Sequence, residues 1–195
     1  MDAEFSVELG PPSEDATLEF PWTSGVSGGP RYLDLKQHPE LLAQVEEAVR
    51  YPELTAFLKA ANSRRSLFET AKCDAWYDEE VDEADAIYDG DGRFGCYVDL
   101  AFDRAAADSR FSFFRHEDVG RALVTLLKKA PDIPASVEVI VRRCFYRDAA
   151  ETREGFYFTL YVFGYGQDEA EARRRWRVAL DLAGNAILQL SLSER

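Results

Sequence analysis

The sequence predicts an α+β protein: an antiparallel sheet built from two tandem strand-strand-helix units, with helices on one face. The other face is expected to be partly covered by an N-terminal hairpin and two short helices. Three observations carry this reading. Phe68–Asp78 and Gly95–Phe102 read as two strands joined by an acidic, glycine-containing loop. Val119, Ala122, Leu123, Leu126 and Leu127 then recur at helical spacing. The order strand, strand, helix returns over Val137–Tyr146, Gly155–Tyr165 and a segment opening at Asp168.

At the N-terminus, Phe5, Val7 and Leu9 alternate with polar residues, Pro11-Pro12 marks a turn, and Leu18, Phe20 and Trp22 alternate again, which reads as a hairpin. A loop of Gly and Ser composition follows to Pro30. Pro39 and Pro52 suit the first turns of two short helices. Their apolar stripes are Leu42, Val45 and Val49, then Leu54, Phe57, Leu58 and Ala61. Residues 1–66 are thus expected to cover an α+β core spanning 67–195, within one compact domain.

In the core, Cys96, Val98, Leu100 and Phe102 share one strand face, and Tyr97, Asp99 and Asp103 point the other way. Lys128-Lys129 complements the negative end of the helix before Pro131 stops it. Asp168 and Glu171 form a capping-box pair, and Ala172, Trp176, Ala179, Ala183, Ile187 and Leu190 make the stripe of a last helix. Strict alternation of Trp176, Val178, Leu180 and Leu182, with Gly184-Asn185 as a turn, leaves a helix plus hairpin as the alternative over 168–192. Lys72-Cys73 resembles Arg143-Cys144, and 95–100 resembles 155–160, a likeness that an internal duplication or two β-rich segments would both produce.

Composition limits the functions. The net charge is −13, and residues 1–100 carry 22 acids against 8 bases while residues 101–195 are near neutral. Such a surface repels phosphate backbones and anionic membranes, so neither nucleic acid nor membrane is an expected partner. The basic run Arg173–Arg177 reads as a solvated helix face. The start Met1-Asp2-Ala3-Glu4 is acidic where a secretory signal is basic, and no apolar run has the length of a spanning helix, which together predict a soluble cytoplasmic protein. Three widely spaced cysteines and two histidines supply no zinc pattern, so no metal or cofactor is expected.

Alternation gathers Lys72, Asp74, Trp76, Tyr97, Asp99, Arg143, Tyr157 and Tyr161 on the sheet face away from the helices, with Phe145, Thr159 and Phe163 beside them. As a site, this is a shallow aromatic platform whose charges orient a protein partner or a small apolar ligand. As plain architecture, it is the face that the first 62 residues cover. The run from Asp74 to Asp91 holds nine acids and no Lys or Arg between residues 73 and 92. It reads as a solvated hairpin loop, since from Asp89 an EF-hand would need its third ligand where Arg93 stands and its invariant glycine where Phe94 stands.

Other motifs match by letter alone. Gly90-Asp91-Gly92-Arg93-Phe94-Gly95 precedes a strand, whereas a dinucleotide fingerprint opens a helix. Gly25-Val26-Ser27-Gly28-Gly29 lacks the strand-turn-helix of a nucleophile elbow. His116 with Cys73 or Cys96 and Asp99 completes a nucleophilic set only if the fold brings them together. The reading is a non-enzymatic binding protein using the aromatic face or the acidic 74–91 hairpin. The alternative is a small hydrolase-like or divalent-metal-assisted enzyme on the same face.

Overall fold

The computed structural model describes residues 5–24, 31–81, 88, 90–148 and 151–194, with backbone alone at 14–17. The Gly25–Gly29 motif and residues 82–87 and 89 of the acidic run lie outside them. The fold is mixed α+β around a six-stranded open sheet. Its strands are β1 (Phe5–Leu9), β2 (Ser13–Phe20), β3 (Phe68–Asp78), β4 (Gly92–Phe102), β5 (Ala135–Arg147) and β6 (Thr152–Gly166). The helices are α1 (Glu46–Arg50), α2 (Pro52–Ala61), α3 (Phe113–Leu127) and α4 (Glu169–Ser193), with 3-10 segments at Pro39–Gln44 and Arg104–Phe111.

The sheet order is β1-β5-β6-β4-β3, and the β3–β4, β4–β6 and β5–β6 pairs are antiparallel. The N-terminal strands correct the sequence reading. β1 runs parallel to β5 over Ala135–Val139, and β2 runs parallel to the same strand, with Leu18–Phe20 against Cys144–Tyr146. They form two successive pieces of one edge rather than a hairpin, and the sheet is mixed rather than antiparallel. Pro11-Pro12 explains the difference: two prolines interrupt the ladder by removing donors but favour an extended backbone that continues instead of reversing.

The two short helices also depart from expectation. α2 packs against α4, and Leu54, Phe57, Leu58 and Ala61 join the same core as Val98, Leu100, Phe158 and Leu160. They therefore lie on the helix face and do not cover the opposite one. The predicted stripe breaks at Val49, which is 66% exposed, while Ala48 is buried. The helix restarts at Glu46 after the 3-10 segment, and that restart shifts the phase of its inward residues.

α4 is one continuous helix. The Asp168 carboxylate accepts the Glu171 N–H at 2.7 Å, and the Glu171 carboxylate accepts the Gln167 N–H at 2.9 Å. These bonds satisfy donors at the helix start. Ala172, Trp176, Ala179, Ala183, Ile187 and Leu190 are all buried. The helix sits directly on β6: a Cβ added to Gly164 would fall 2.0 Å from the Trp176 nitrogen, and one on Gly166 would fall 2.5 Å from that of Ala172. Among the described residues, no helix is long and apolar enough to cross a membrane.

Gly164→Ala should therefore force helix and strand apart. The expected cost is about 3 kcal/mol, a melting-temperature drop of about 6–12 °C by circular dichroism. Gly184→Ala is the control, because its new Cβ would meet Phe57 at 3.5 Å and Ala60 at 4.0 Å. That change should be neutral or stabilise by about 0.5–1 kcal/mol through helix propensity.

Candidate functional site

The sheet face away from the helices divides into a covered half and an open half. The covered half is closed by the chain leaving β2 and by the 3-10 segment before α3. Phe20, Trp22, Tyr32 and Phe111 pack there over Ala71, Ala101, Cys144, Tyr146 and Tyr157. Arg110 pins this layer: its Nε donates to the Phe102 carbonyl at 2.7 Å, its Nη2 pairs with buried Glu69, and its guanidinium stacks on Phe20 and Tyr146. Trp22 adds a bond from its Nε1 to the Ala71 carbonyl at 2.7 Å. Tyr157 lies in this closed half at 3% exposure, so it is a core residue rather than part of an open platform.

The open half is built on β3, β4 and β6. Trp76, Tyr97, Tyr161 and Phe163 are half-buried and touch in sequence across the strands. Ring centroids are 6.4 Å apart for Trp76–Tyr97, 6.1 Å for Tyr97–Tyr161, 6.2 Å for Tyr161–Phe163 and 6.0 Å for Phe163–Trp76. This closed ring of contacts follows from register. Tyr97 stands opposite both Asp74 and Tyr161, and Gly95 stands opposite both Trp76 and Phe163. Having no side chain, Gly95 lets the Phe163 ring lie over its backbone, where a Cβ would be 2.5 Å from the ring. The Arg93 guanidinium lies 5.0 Å from the Phe163 centroid and bonds the Asp78 carboxylate, which also accepts from Trp76 Nε1 at 3.0 Å.

Asp99 sits beside these rings, opposite Lys72 on β3 and Thr159 on β6. It is only 6% exposed, and its carboxylate accepts the Thr159 hydroxyl at 2.7 Å. Burial pushes its pKa up to about 6, partly offset by the Thr159 hydrogen bond and by the positive charges of Arg142 and Lys72. Tyr97 is also held above the ordinary phenol range, by burial first and then by the carboxylates of Asp99 and Asp74. Arg142 reaches Tyr161 Oη at 3.4 Å.

Of the predicted site residues, Lys72, Asp74, Trp76, Tyr97 and Tyr161 thus share the open half, and buried Asp99 lies at its border with the covered half. Arg143 does not: it pairs with Phe156 in register and bridges Glu154 at 3.1 Å, on the parity of the helix face. Phe145 shares that parity, and Arg142 takes the place assigned to Arg143. The signal was present in Val137, Val139 and Val141, whose buried alternation sets the parity of 143. The likeness of Arg143-Cys144 to Lys72-Cys73 obscured it, because Cys144 faces the covered half while Cys73 packs on the helix side. Arg93 and Gly95 belong to the platform as well, and only register reveals them.

The nucleophilic set is not assembled. His116 packs among Phe102, Phe156 and Phe158 on the helix face, as do Cys73 and Cys96 in that core, whereas Asp99 lies through the sheet. Burial lowers the His116 pKa to about 4, and its Nδ1 meets the Ser112 carbonyl at 2.8 Å, a neutral core imidazole. Among the described residues, no group of three His, Cys, Asp or Glu side chains could hold a metal ion. No family model, curated protein or solved structure matches the chain.

The raised pKa of Asp99 has a stability consequence. A carboxyl with its folded pKa above the ordinary value of 3.8 favours the fold while protonated, and that contribution is lost as pH rises through about 6. Asp99→Asn, which keeps an acceptor for Thr159 without the charge, should match wild type near pH 4. At pH 7.5 it should be more stable, by on the order of 2 kcal/mol in urea titrations. A wild type that gains stability relative to the variant over this range would contradict the assignment.

Proposed function

We propose that this chain is a non-enzymatic binding protein whose open sheet half receives a protein segment carrying arginine or lysine beside apolar side chains. The observation that carries this reading is the contiguous, half-exposed set of Trp76, Tyr97, Tyr161 and Phe163 on the helix-free face. Ring faces attract cations, by about 0.5–2 kcal/mol each. A net charge of −13 steers a cationic partner toward the molecule. A flat platform suits a segment that lies along it, whereas a small molecule is best held by enclosing walls. The acidic 74–91 hairpin, whose residues 82–87 and 89 lie outside the described ones, would extend the same negative field. The cytoplasm belongs to this proposal, supported by three free cysteines. So does the layout of two strand-strand-helix units, supported by hairpins β3–β4 and β5–β6 lying side by side through β4 and β6.

A second reading, a small enzyme on the same face, is favoured by one feature: a buried carboxylate, Asp99, with its pKa raised to about 6 beside Lys72 and Arg142. It would use Asp99 as the proton acceptor.

A random twelve-residue peptide library displayed on phage separates these readings. Selection on the wild type should enrich sequences that combine Arg or Lys with Leu or aromatic residues. Binding of the selected peptides should fall at least tenfold in Trp76→Ala or Tyr161→Ala, with little change in melting temperature. Peptides that bind the wild type and Trp76→Ala/Tyr161→Ala equally well would sink the proposal.

A further inference from the structure

β3 is the outer strand of the sheet, and its free edge is treated differently along its length. Over its first half, side chains occupy the outward backbone groups. Lys36 Nζ donates to the carbonyls of Ser66 and Phe68 at 2.7 Å each, the Thr70 N–H donates to Asn62 Oδ1 at 3.0 Å, and Trp22 Nε1 takes the Ala71 carbonyl. The bulge between Thr70 and Lys72 then reverses the parity of outward residues. Beyond it, the Ala75 N–H is turned away from β4 and meets the neighbouring Asp74 carboxylate at 2.8 Å, while the Ala75 side chain is buried on the helix face. Alternation turns the backbone N–H and C=O groups of Cys73, Ala75 and Tyr77 toward the free edge, while their side chains pack on the helix face. Among the described residues, their edge carries none of the long-range caps found over 66–71.

We propose that this half-edge pairs with the same half-edge of a second copy of the chain, antiparallel about a two-fold axis at Ala75. Sequence and caps together select that register. With Ala75 opposite Ala75 of the second copy, Cys73 meets Tyr77, Asp74 meets Trp76, and Lys72 meets Asp78, each contact occurring twice by symmetry. The three residues exchange their backbone bonds within the stretch that lacks long-range caps, the Ala75 N–H leaving the Asp74 carboxylate for the second copy, and Lys72 approaches the Asp78 carboxylate that Arg93 and Trp76 already hold from the other side. A two-fold at Cys73 would instead require Ala71, whose carbonyl Trp22 already holds. The axis at Ala75 keeps both helix layers on one side of the joined sheet. There the two α1 helices, each packed on its own β3 and leaving Val49 exposed, would flank the seam. The two aromatic platforms would lie on the opposite side, with each Trp76 beside the axis.

A seam of one short strand pair buries a modest area, which places the dissociation constant on the order of 1–100 µM. Sedimentation velocity from about 1 to 300 µM, with no ligand added, should show the monomer pass to a dimer across that window. The outcome is therefore independent of the peptide-binding reading. Ala75→Pro removes an N–H that the β3–β4 ladder does not use, so it should leave the circular dichroism intact and abolish the dimer. Lys72→Glu replaces two attractions by two repulsions and should weaken association about tenfold, less at high salt. A wild type that stays monomeric throughout, or a dimer that survives Ala75→Pro, overturns the proposal. Should Ala75→Pro fail to fold, association unchanged within twofold in Lys72→Glu does so instead.

Discussion

The close seating of α4 on β6 governs the rest of this structure. Gly164 and Gly166 bring strand and helix backbones near enough that Trp176 enters the core beside Phe94 and Tyr51, with ring centroids 4.7 and 6.2 Å away. Once that face of β6 is committed, the pleat commits every other residue of the sheet. Cys96, Val98, Leu100, Val137, Val139 and Val141 turn toward the helices, and Tyr97, Asp99, Arg142, Tyr161 and Phe163 turn away. The aromatic platform is the obligatory reverse side of the core.

That reverse side is finished unevenly. Near one end of the sheet, Arg110 gathers Glu69, Phe20 and Tyr146 into a closed layer. Its ion pair is costly to desolvate, and its backbone bond and two flanking rings offset that cost. Toward the other end, Trp76, Tyr97, Tyr161 and Phe163 are left half-exposed around Gly95. A buried carboxylate at Asp99 marks the border between the two zones. A protein under no further constraint would be expected to place Asn or Thr there, since a charge in that setting opposes folding at neutral pH.

Much of this was legible in the residues because strand parity is a strict rule. The apolar alternation of Cys96–Phe102 and Phe156–Val162 assigned both faces of β4 and β6, and the Asp168–Glu171 pair located the start of α4. What stayed hidden has physical causes. Parallel pairing of β1 and β2 with a strand more than a hundred residues later leaves no local mark, so two prolines read as a turn. The covered half of the platform depends on Arg110 and Tyr32, whose roles arise from tertiary contacts. Arg142 and Arg143 are adjacent identical letters, and only the valines before them show which one faces the rings.

The N-terminal edge has a bearing on how the chain reaches its fold. Joining β1 to β5 closes a loop of about 130 residues, the most non-local pairing in the sheet, so its entropic cost must be met before its bonds contribute. The antiparallel strands β3 to β6 have nearer partners to assemble with. In a nascent chain, or one nicked between residues 20 and 31, β5 would present a naked valine-rich border to solvent. The first twenty residues thus occupy that border, and a chain lacking them would leave it open to pairing with other chains.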